Sequence, residues 1–390
     1  MSNVLMSNYQ PLSIEFINGS GAWLNDTQGQ RYLDALSGIA VCGLGHAHPA
    51  VQEAIADQAA NLIHTSNLYR IPLQEKLAEK LVEHSGMDKV FFGNSGAEAN
   101  EAAIKLARLY ASNKKISHPV IVVMDKSFHG RTMATLSATG DAKVHKGFDP
   151  LVEGFKHIPY NDIDTLNELA NENLNIVAVM VEPVLGEGGV VIPDAGYLKA
   201  IRLFCDQHDC LMMIDEIQTG MCRTGKWFAF QHEEILPDVM TLAKALGNGV
   251  PIGACLARGQ AAELFQPGSH GSTFGGNPLA SRAALAVIDI LEEQNLDKRA
   301  TELGDRLLEG FKTALADING IKEIRGKGLM LGIELEQDCP ELVEIALNEN
   351  LLINVTSGNV IRLLPPLILS NSEADQIVTM LSDVLKTYLK

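Results

Sequence analysis

Four short apolar runs in the middle of the chain each lead to a polar residue, and this pattern constrains the fold most strongly. The runs do not alternate between apolar and polar residues, which is typical of strands buried on both faces in a parallel sheet covered by helices. Because ligands bind beyond the carboxyl ends of such strands, we expect Glu182, Asp215 and Lys244 to share one crevice. The runs are 120–124, 176–181, 211–214 and 239–242, and they lead to Asp125, Glu182, Asp215 and Lys244.

Helix-forming stretches such as 196–208 separate these runs, and the alternation of strands and helices predicts an α/β fold. Residues 14–40 instead contain strand-like pieces and turn signals, and the C-terminal part mixes amphipathic helices with short strands. A chain of 390 residues also exceeds the usual size of one hydrophobic core. We therefore predict a large domain over 50–285 with a mostly parallel central sheet flanked by helices. A smaller, discontinuous α+β domain would be formed by 1–49 and 286–390.

Charge and cysteine usage exclude several classes of function. The 31 Lys and Arg residues against 48 Asp and Glu residues give a net charge of −17, which argues against binding to nucleic acids or anionic membranes because both require basic faces. The N-terminus lacks a basic segment followed by an apolar one, and no apolar run approaches the roughly 18 residues of a spanning helix. The six scattered cysteines show no metal-ligand spacing. We therefore expect reduced thiols, no metal site and a cytoplasmic location.

Lys244 and Asp215 are the residues that most suggest chemistry. No other charged residue lies between Thr241 and Leu256, so we expect Lys244 in an apolar environment that lowers its pKa and leaves a neutral amine for Schiff-base chemistry. A carboxylate at the carboxyl edge of a sheet is costly to desolvate unless it meets a cation. Asp215 could therefore bind a cationic ring nitrogen, or it could cap the following helix.

Two further segments suggest binding of anionic groups. In FFGNSGAEANEAA, Gly93 and Gly96 allow a tight turn before a helix whose exposed N–H groups would bind an anion, and an ordinary glycine turn is the alternative. In SFHGRT, Phe128 could stack on a flat ligand and Arg131 could bind a carboxylate. An isolated Arg is more often a solvated surface charge. The pattern assigns no chemical step to His129.

Six segments, taken in their order along the chain, resemble the class III aminotransferases. They are NSGAEANEAA, SFHGRT, VEPVLGEGG, IDEIQTG, LAKALGNG and GSTFGGNP, and the similarity extends from about Leu12 to the C-terminus. Members of this family are fold-type I enzymes that use pyridoxal 5′-phosphate (PLP). The resemblance therefore implies a fold-type I α/β architecture, PLP as the cofactor, and a homodimer whose active sites are shared between the subunits.

The resemblance also implies roles for the residues that would surround the cofactor ring. Lys244 would bind PLP covalently and later carry a proton, and Asp215 would keep the ring nitrogen protonated. Gln218 would hydrogen-bond the phenolic oxygen of the ring, and Phe128 would stack on its face.

At the phosphate end, the resemblance implies that the backbone N–H groups of Gly96 and Ala97 bind the phosphate at a helix N-terminus. Thr273 would complete this site with Ser272 beside it, and both residues would come from the partner subunit.

Two arginines would bind the carboxylates of the substrates. The resemblance implies that Arg131 binds one substrate carboxylate, with Glu182 nearby. Arg362 would bind the α-carboxylate of glutamate, and Glu187 would neutralise Arg362 when the other amino donor is present.

These roles imply a transamination between an amino donor and 2-oxoglutarate. GSTFGGNPLA and the NLYR segment favour N2-acetyl-L-ornithine as the donor, which would place the reaction in arginine biosynthesis. Ornithine, 4-aminobutyrate and succinyldiaminopimelate remain open as donors. A glutamate-1-semialdehyde aminomutase, which is an isomerase, is a further alternative, and a binding protein without activity is a third class.

Overall fold

The computed structural model describes residues 4–390 and contains three β-sheets. The strands are β1 (Phe16–Ser20), β2 (Trp23–Asp26), β3 (Arg31–Asp34), β4 (Lys89–Gly93), β5 (Val120–Met124), β6 (Phe155–Ile158), β7 (Ile176–Val181), β8 (Leu211–Asp215), β9 (Val239–Leu242), β10 (Gly253–Ala257), β11 (Ile321–Lys327), β12 (Met330–Leu335), β13 (Leu351–Leu352), β14 (Asn354–Thr356) and β15 (Val360–Leu363). The helices are α1 (Ser37–Ala40), α2 (Pro49–Asn61), α3 (Pro72–Ser85), α4 (Gly96–Asn113), α5 (Met133–Ala138), α6 (Ile163–Leu169), α7 (Tyr197–His208), α8 (Pro278–Glu293), α9 (Leu296–Ala314), α10 (Leu342–Asn348) and α11 (Asn371–Tyr388).

The central sheet has seven strands in the order β4-β10-β9-β8-β7-β5-β6. Strand β10 is antiparallel to both of its neighbours, β4 and β9, and the pairs from β9 to β6 are parallel. The four apolar runs of the sequence correspond to β5, β7, β8 and β9. The predicted α/β architecture with a mostly parallel central sheet is therefore confirmed.

Helices bury both faces of this sheet, which explains why its strands do not alternate between apolar and polar residues. On β8, Met212 and Ile214 belong to the core beneath α7, whereas Leu211 and Met213 belong to the core beneath α4. Successive residues of a strand face opposite sides of the sheet. Each position of β8 therefore lies in an apolar environment, and the polar Asp215 occurs only where the strand ends.

The two smaller sheets come from the flanks of the chain. One has the order β1-β2-β3-β13, so that a C-terminal strand pairs in parallel with an N-terminal one. The other has the order β11-β12-β15-β14. This pairing is compatible with a discontinuous small domain, although the boundaries at residues 50 and 285 stay a prediction. Across residues 4–390, no helix is both long and apolar enough to cross a membrane.

Candidate active site

A cavity of about 390 Å³ lies at the carboxyl ends of β7, β8 and β9, beside the start of α4. Its position agrees with the expectation that ligands bind beyond the carboxyl ends of parallel strands. The cavity brings together Glu182, Asp215 and Lys244, as the ends of the apolar runs suggested. The site residues named in the sequence analysis that line it are Gly96, Ala97, Phe128, Arg131, Glu182, Glu187, Asp215, Gln218 and Lys244.

Asp215 lines the cavity and is almost completely buried. Its Oδ2 accepts hydrogen bonds of 2.8 Å from Nδ2 of Asn100 and from Nδ1 of His129, and its Oδ1 accepts one of 3.0 Å from the backbone N–H of Ile217. The carboxylate is therefore held in one orientation by three donors. A carboxylate satisfied in this way suits the recognition of a cation in the cavity.

Lys244 follows β9 at the start of a single 3₁₀ turn. Its φ of 43° lies in the left-handed region, which is unfavourable for a residue other than Gly. Desolvation lowers the pKa of Lys244 to about 8, and the charge of Arg362 acts in the same direction. A substantial fraction of the amine is therefore neutral at a pH close to 8, as nucleophilic attack by a lysine requires.

The N-terminus of α4 also lines the cavity, through Ser95, Gly96 and Ala97. Ser95 is the N-cap residue, and its side chain accepts a hydrogen bond of 3.2 Å from the backbone N–H of Glu98. A Cβ atom at Gly96 would lie 2.7 Å from Cδ1 of Ile217, so a larger residue here would have to displace the Ile217 side chain. The free N–H groups of the first helical turn are suited to binding an anion.

Arg131 and Phe128 lie on one wall. Arg131 is exposed, and its guanidinium carbon lies 5.6 Å from the centre of the Phe128 ring. Within residues 4–390 none of the ion pairs includes Arg131. An arginine that is held against an aromatic ring and has no carboxylate partner is suited to binding a carboxylate from solution.

Glu187 and Arg362 form an ion pair at another wall, with Nη1 and Oε1 separated by 2.8 Å. Arg362 is fully buried, whereas the Glu187 side chain is 39% exposed. Arg362 also donates to Oδ1 of Asn354 at 3.1 Å and to Oε1 of Gln218 at 3.4 Å. Its Nη2 has no hydrogen-bond partner among the residues described. Arg362 therefore lies behind the lining of the cavity, from which Glu187 and Gln218 separate it.

Glu182 is buried and accepts hydrogen bonds from the backbone N–H groups of Phe128, at 2.8 Å, and Gly186, at 3.1 Å. Burial raises the pKa of Glu182 to about 7, against the opposing charge of His129. The carboxyl group therefore fixes the loop that carries Phe128.

Ser272 and Thr273 do not line the cavity of this chain. Thr273 is exposed, and Oγ of Ser272 accepts a hydrogen bond of 3.2 Å from Nδ2 of Asn94, which does line the cavity. The structure therefore separates these two predicted residues from the others. Their assignment to a neighbouring subunit stays a prediction.

The polar residues beneath Asp215 were not among the predicted site residues. Asn100, His129 and Thr241 are all buried, and His129 was noticed without being given a role. A signal was present, because SFHGRT places His129 beside Phe128 and Thr241 comes three residues before Lys244. Asn100 lies within an ordinary helix pattern, which indicates burial but not the partner of a side chain.

Comparisons with known proteins agree on one family. A family model described as aminotransferase class-III matches residues 5–385. An acetylornithine aminotransferase from Nitrosomonas europaea is 55% identical over 390 residues, which cover 100% of this chain and 99% of that protein.

Two solved structures show the same similarity. An N-acetylornithine aminotransferase from Stenotrophomonas maltophilia K279a superposes with a TM-score of 0.85 and 36% identity, covering 98% of each chain. An ornithine aminotransferase from Toxoplasma gondii, which has partial occupancy of PLP at its active site, superposes with a TM-score of 0.94 and 34% identity. That match covers 98% of this chain and 92% of the other.

Proposed function

This chain belongs to the class III aminotransferases, and from that premise we propose that it transfers the amino group of N2-acetyl-L-ornithine to 2-oxoglutarate with PLP as cofactor. The products are N-acetyl-L-glutamate 5-semialdehyde and L-glutamate, and the reaction belongs to arginine biosynthesis. The 55% identity along the full chain to a protein named acetylornithine aminotransferase supports the acetylated donor.

The observation that carries this proposal is the cavity in which Lys244, Asp215 and Arg131 meet. It combines an amine with a lowered pKa, a buried carboxylate and an arginine that has no ion-pair partner among residues 4–390. An amino-group transfer between carboxylic acids needs each of these groups, together with a cofactor that can accept electrons.

The residues present fit PLP. Asp215 suits its ring nitrogen, Lys244 suits its aldehyde, and the first turn of α4 at Gly96 and Ala97 suits its phosphate. Phe128 and Gln218 also line the cavity and are available for the ring face and the phenolic oxygen. When bound, PLP supplies an electron sink for the substrate carbon from which a proton is lost.

Lys244 carries the proton in this proposal. Its amine faces the cavity, and its pKa of about 8 allows it to accept a proton at Nζ from the substrate carbon and to return it in the next step. Glu182 and Asp215 contribute opposite charges that raise the pKa, but desolvation outweighs them. The low polarity around Nζ therefore sets the protonation of the catalytic amine.

The Glu187–Arg362 pair explains how one cavity can accept two donors of different charge. With acetylornithine bound, Glu187 keeps Arg362 neutralised and the acyl tail meets no bare cation. With glutamate bound, its α-carboxylate displaces Glu187 and takes a bidentate position on Arg362, whose Nη2 is otherwise unpartnered. The partial exposure of Glu187 leaves it free to move. Arg131 holds the other substrate carboxylate.

Ornithine is the second candidate donor. It is favoured by the TM-score of 0.94 to an ornithine aminotransferase, although the identity to that protein is only 34%. The 55% identity to an acetylornithine aminotransferase makes the acetylated donor the first choice.

The proposal includes a homodimer. Asn67 donates hydrogen bonds of 3.1 Å to the backbone oxygens of Ser272 and Gly275, which joins two exposed segments into one surface. A surface rich in exposed large apolar side chains favours a protein interface. Burial against a second copy would bring Ser272 and Thr273 to the phosphate end of the partner's cavity. The exposed apolar side chains of these segments are Leu62, Ile63, Leu68, Tyr69 and Phe274.

A cytoplasmic location is also part of the proposal. The six cysteines are all free thiols, which is in keeping with a reducing compartment.

Two experiments test the proposed function. A panel of N2-acetyl-L-ornithine, ornithine, 4-aminobutyrate and succinyldiaminopimelate, each with 2-oxoglutarate, should give the highest kcat/KM for the first. Lys244→Ala should abolish turnover, whereas Lys298→Ala, which removes an exposed lysine on α9, should not. Normal turnover by Lys244→Ala would refute the mechanism, and a higher kcat/KM with another donor would refute the choice of substrate.

A further inference from the structure

Asn100 connects the three elements that carry the groups facing the cavity. It is fully buried on α4, and its Nδ2 donates hydrogen bonds of 2.8 Å to Oδ2 of Asp215 and to the backbone oxygen of His129. Its Oδ1 accepts a hydrogen bond of 2.7 Å from Oγ1 of Thr241 on β9. One side chain thus joins α4, the end of β8 and the strand that leads to Lys244.

The three partners of Asn100 determine which end of its amide faces the carboxylate, and Thr241 satisfies the other end. An amide has a carbonyl end that only accepts hydrogen bonds and an NH₂ end that donates them. Because Oδ2 of Asp215 and the backbone oxygen of His129 only accept, the NH₂ end must face them, and the Thr241 hydroxyl donates to the carbonyl end that remains. If the amide turned over, its oxygen would lie against an ionised carboxylate and a buried donor would be lost, which is unfavourable.

The hydrogen bonds to Asp215 keep its carboxylate ionised and fix which of its oxygens is available to a ligand. Oδ2 accepts two hydrogen bonds, from Asn100 and His129. Among residues 4–390, Oδ1 accepts one, from the backbone N–H of Ile217, and is therefore the oxygen available to a ligand. Donors to an ionised carboxylate stabilise its charged form. We propose that Asn100 and Thr241 are positioning residues that hold the ionised Asp215 toward the ring nitrogen of PLP. This inference rests on the proposed function.

Asn100 also links Asp215 to the two other parts of the site, the start of α4 and the segment that leads to Lys244. It lies four residues after Gly96 on the same helix, which places both on one face of α4. Thr241 lies three residues before Lys244, and the backbone N–H of Glu216 donates to the backbone oxygen of Thr241. The network therefore keeps the phosphate end, the ring-nitrogen end and the lysine in register.

The test compares Thr241→Val, which has nearly the same shape but no hydroxyl, with Thr241→Ser, which keeps it. Thr224→Val is the matched control, because Thr224 is also buried but its hydroxyl contacts His232 and not the Asn100–Asp215 network. The measurements are the rate at which the holoenzyme loses PLP on dialysis, the kcat and KM for acetylornithine, and the melting temperature.

For Thr241→Val we expect PLP loss about tenfold faster and kcat about tenfold lower, as for one lost buried hydrogen bond. The KM should stay nearly unchanged because the carboxylate-binding arginines are not disturbed. Thr241→Ser should recover most of both values, and Thr224→Val should change only the melting temperature.

A Thr241→Val protein that differs from the wild type only in melting temperature, as the control does, would overturn the inference. If Thr241→Val does not fold, Asn100→Asp provides the same test, because a second carboxylate against Asp215 should weaken PLP retention at least as much. Retention equal to the wild type in that variant would also overturn it. A failure of the proposed function is distinguishable, since the wild type itself would then lack turnover with 2-oxoglutarate.

Discussion

Replacement of Glu187 by Ala should change how the enzyme discriminates between its two amino donors. In the proposed mechanism the α-carboxylate of glutamate has to displace Glu187 from Arg362, whose Nη1 lies 2.8 Å from Oε1 of Glu187. Breaking a fully buried ion pair costs about 3–5 kcal/mol, whereas an exposed pair contributes about 0–1 kcal/mol. Arg362 is fully buried and Glu187 is 39% exposed. We therefore take an intermediate value of about 1.5 kcal/mol, which corresponds to about tenfold.

The assay measures kcat/KM of the two half-reactions separately, with acetylornithine and with glutamate as donor. The ratio of glutamate to acetylornithine should rise about tenfold in Glu187→Ala, because the competing carboxylate is gone and the acyl tail meets a bare cation. Glu187→Gln, which keeps the shape without the charge, should give an increase in the same direction. Asp375→Ala, which breaks an exposed ion pair with Arg306, is the control and should leave the ratio unchanged. An unchanged ratio in both Glu187 variants would refute this reasoning.

Three further predictions concern cofactor binding and stability. The rate at which PLP-free protein captures PLP should level off above about pH 8 and fall below it, because Lys244 then becomes protonated. A rate that keeps rising toward about pH 10 would contradict the lowered pKa, since an ordinary lysine is still protonated there. Gly96→Ala should weaken PLP binding about tenfold in a titration, because the new Cβ would lie 2.7 Å from Cδ1 of Ile217. Adding Ile217→Ala to the same protein should restore part of the affinity. Hydrogen bonding to Asp34 raises the pKa of His46 to about 9, so this contribution to stability is complete below pH 6.5 and is lost as the pH rises through about 9. A rise of the pKa from 6.5 to about 9 corresponds to about 3 kcal/mol, so urea unfolding should show a loss of that size over this pH range. A loss of the same size in His46→Gln would show that another group is responsible.

The sheet and the main site residues could be predicted because they depend on local patterns. A strand with both faces buried is mostly apolar, as β8 is from Leu211 to Ile214, and the charged residue that follows such a run marks its end. Parallel strands end at the same edge, which brings Asp215 and Lys244 into one cavity although 28 residues separate them in sequence. The roles of these residues came from the resemblance to a family, and pattern alone left the alternatives open.

Other features could not be predicted because they depend on contacts between distant parts of the chain. Asn100 meets Asp215 across 115 positions and Thr241 across 141, and helical periodicity reports only that such a residue is buried. The antiparallel direction of β10 depends on the path of the loop after Lys244, and the pattern of apolar residues does not predict that path. Ser272 and Thr273 lie outside the cavity of their own chain, and the role predicted for them would require a second copy of the chain.

The covalent attachment of PLP to Lys244 is the central claim, and chemical trapping tests it most directly. Treating the holoenzyme with borohydride should fix the cofactor to the lysine that holds it, and mass spectrometry of the digested protein then identifies that residue. The account predicts that the added mass of the cofactor is found on the peptide that contains Lys244 and on no other lysine. An adduct on a different lysine, or none in protein saturated with PLP, would contradict it.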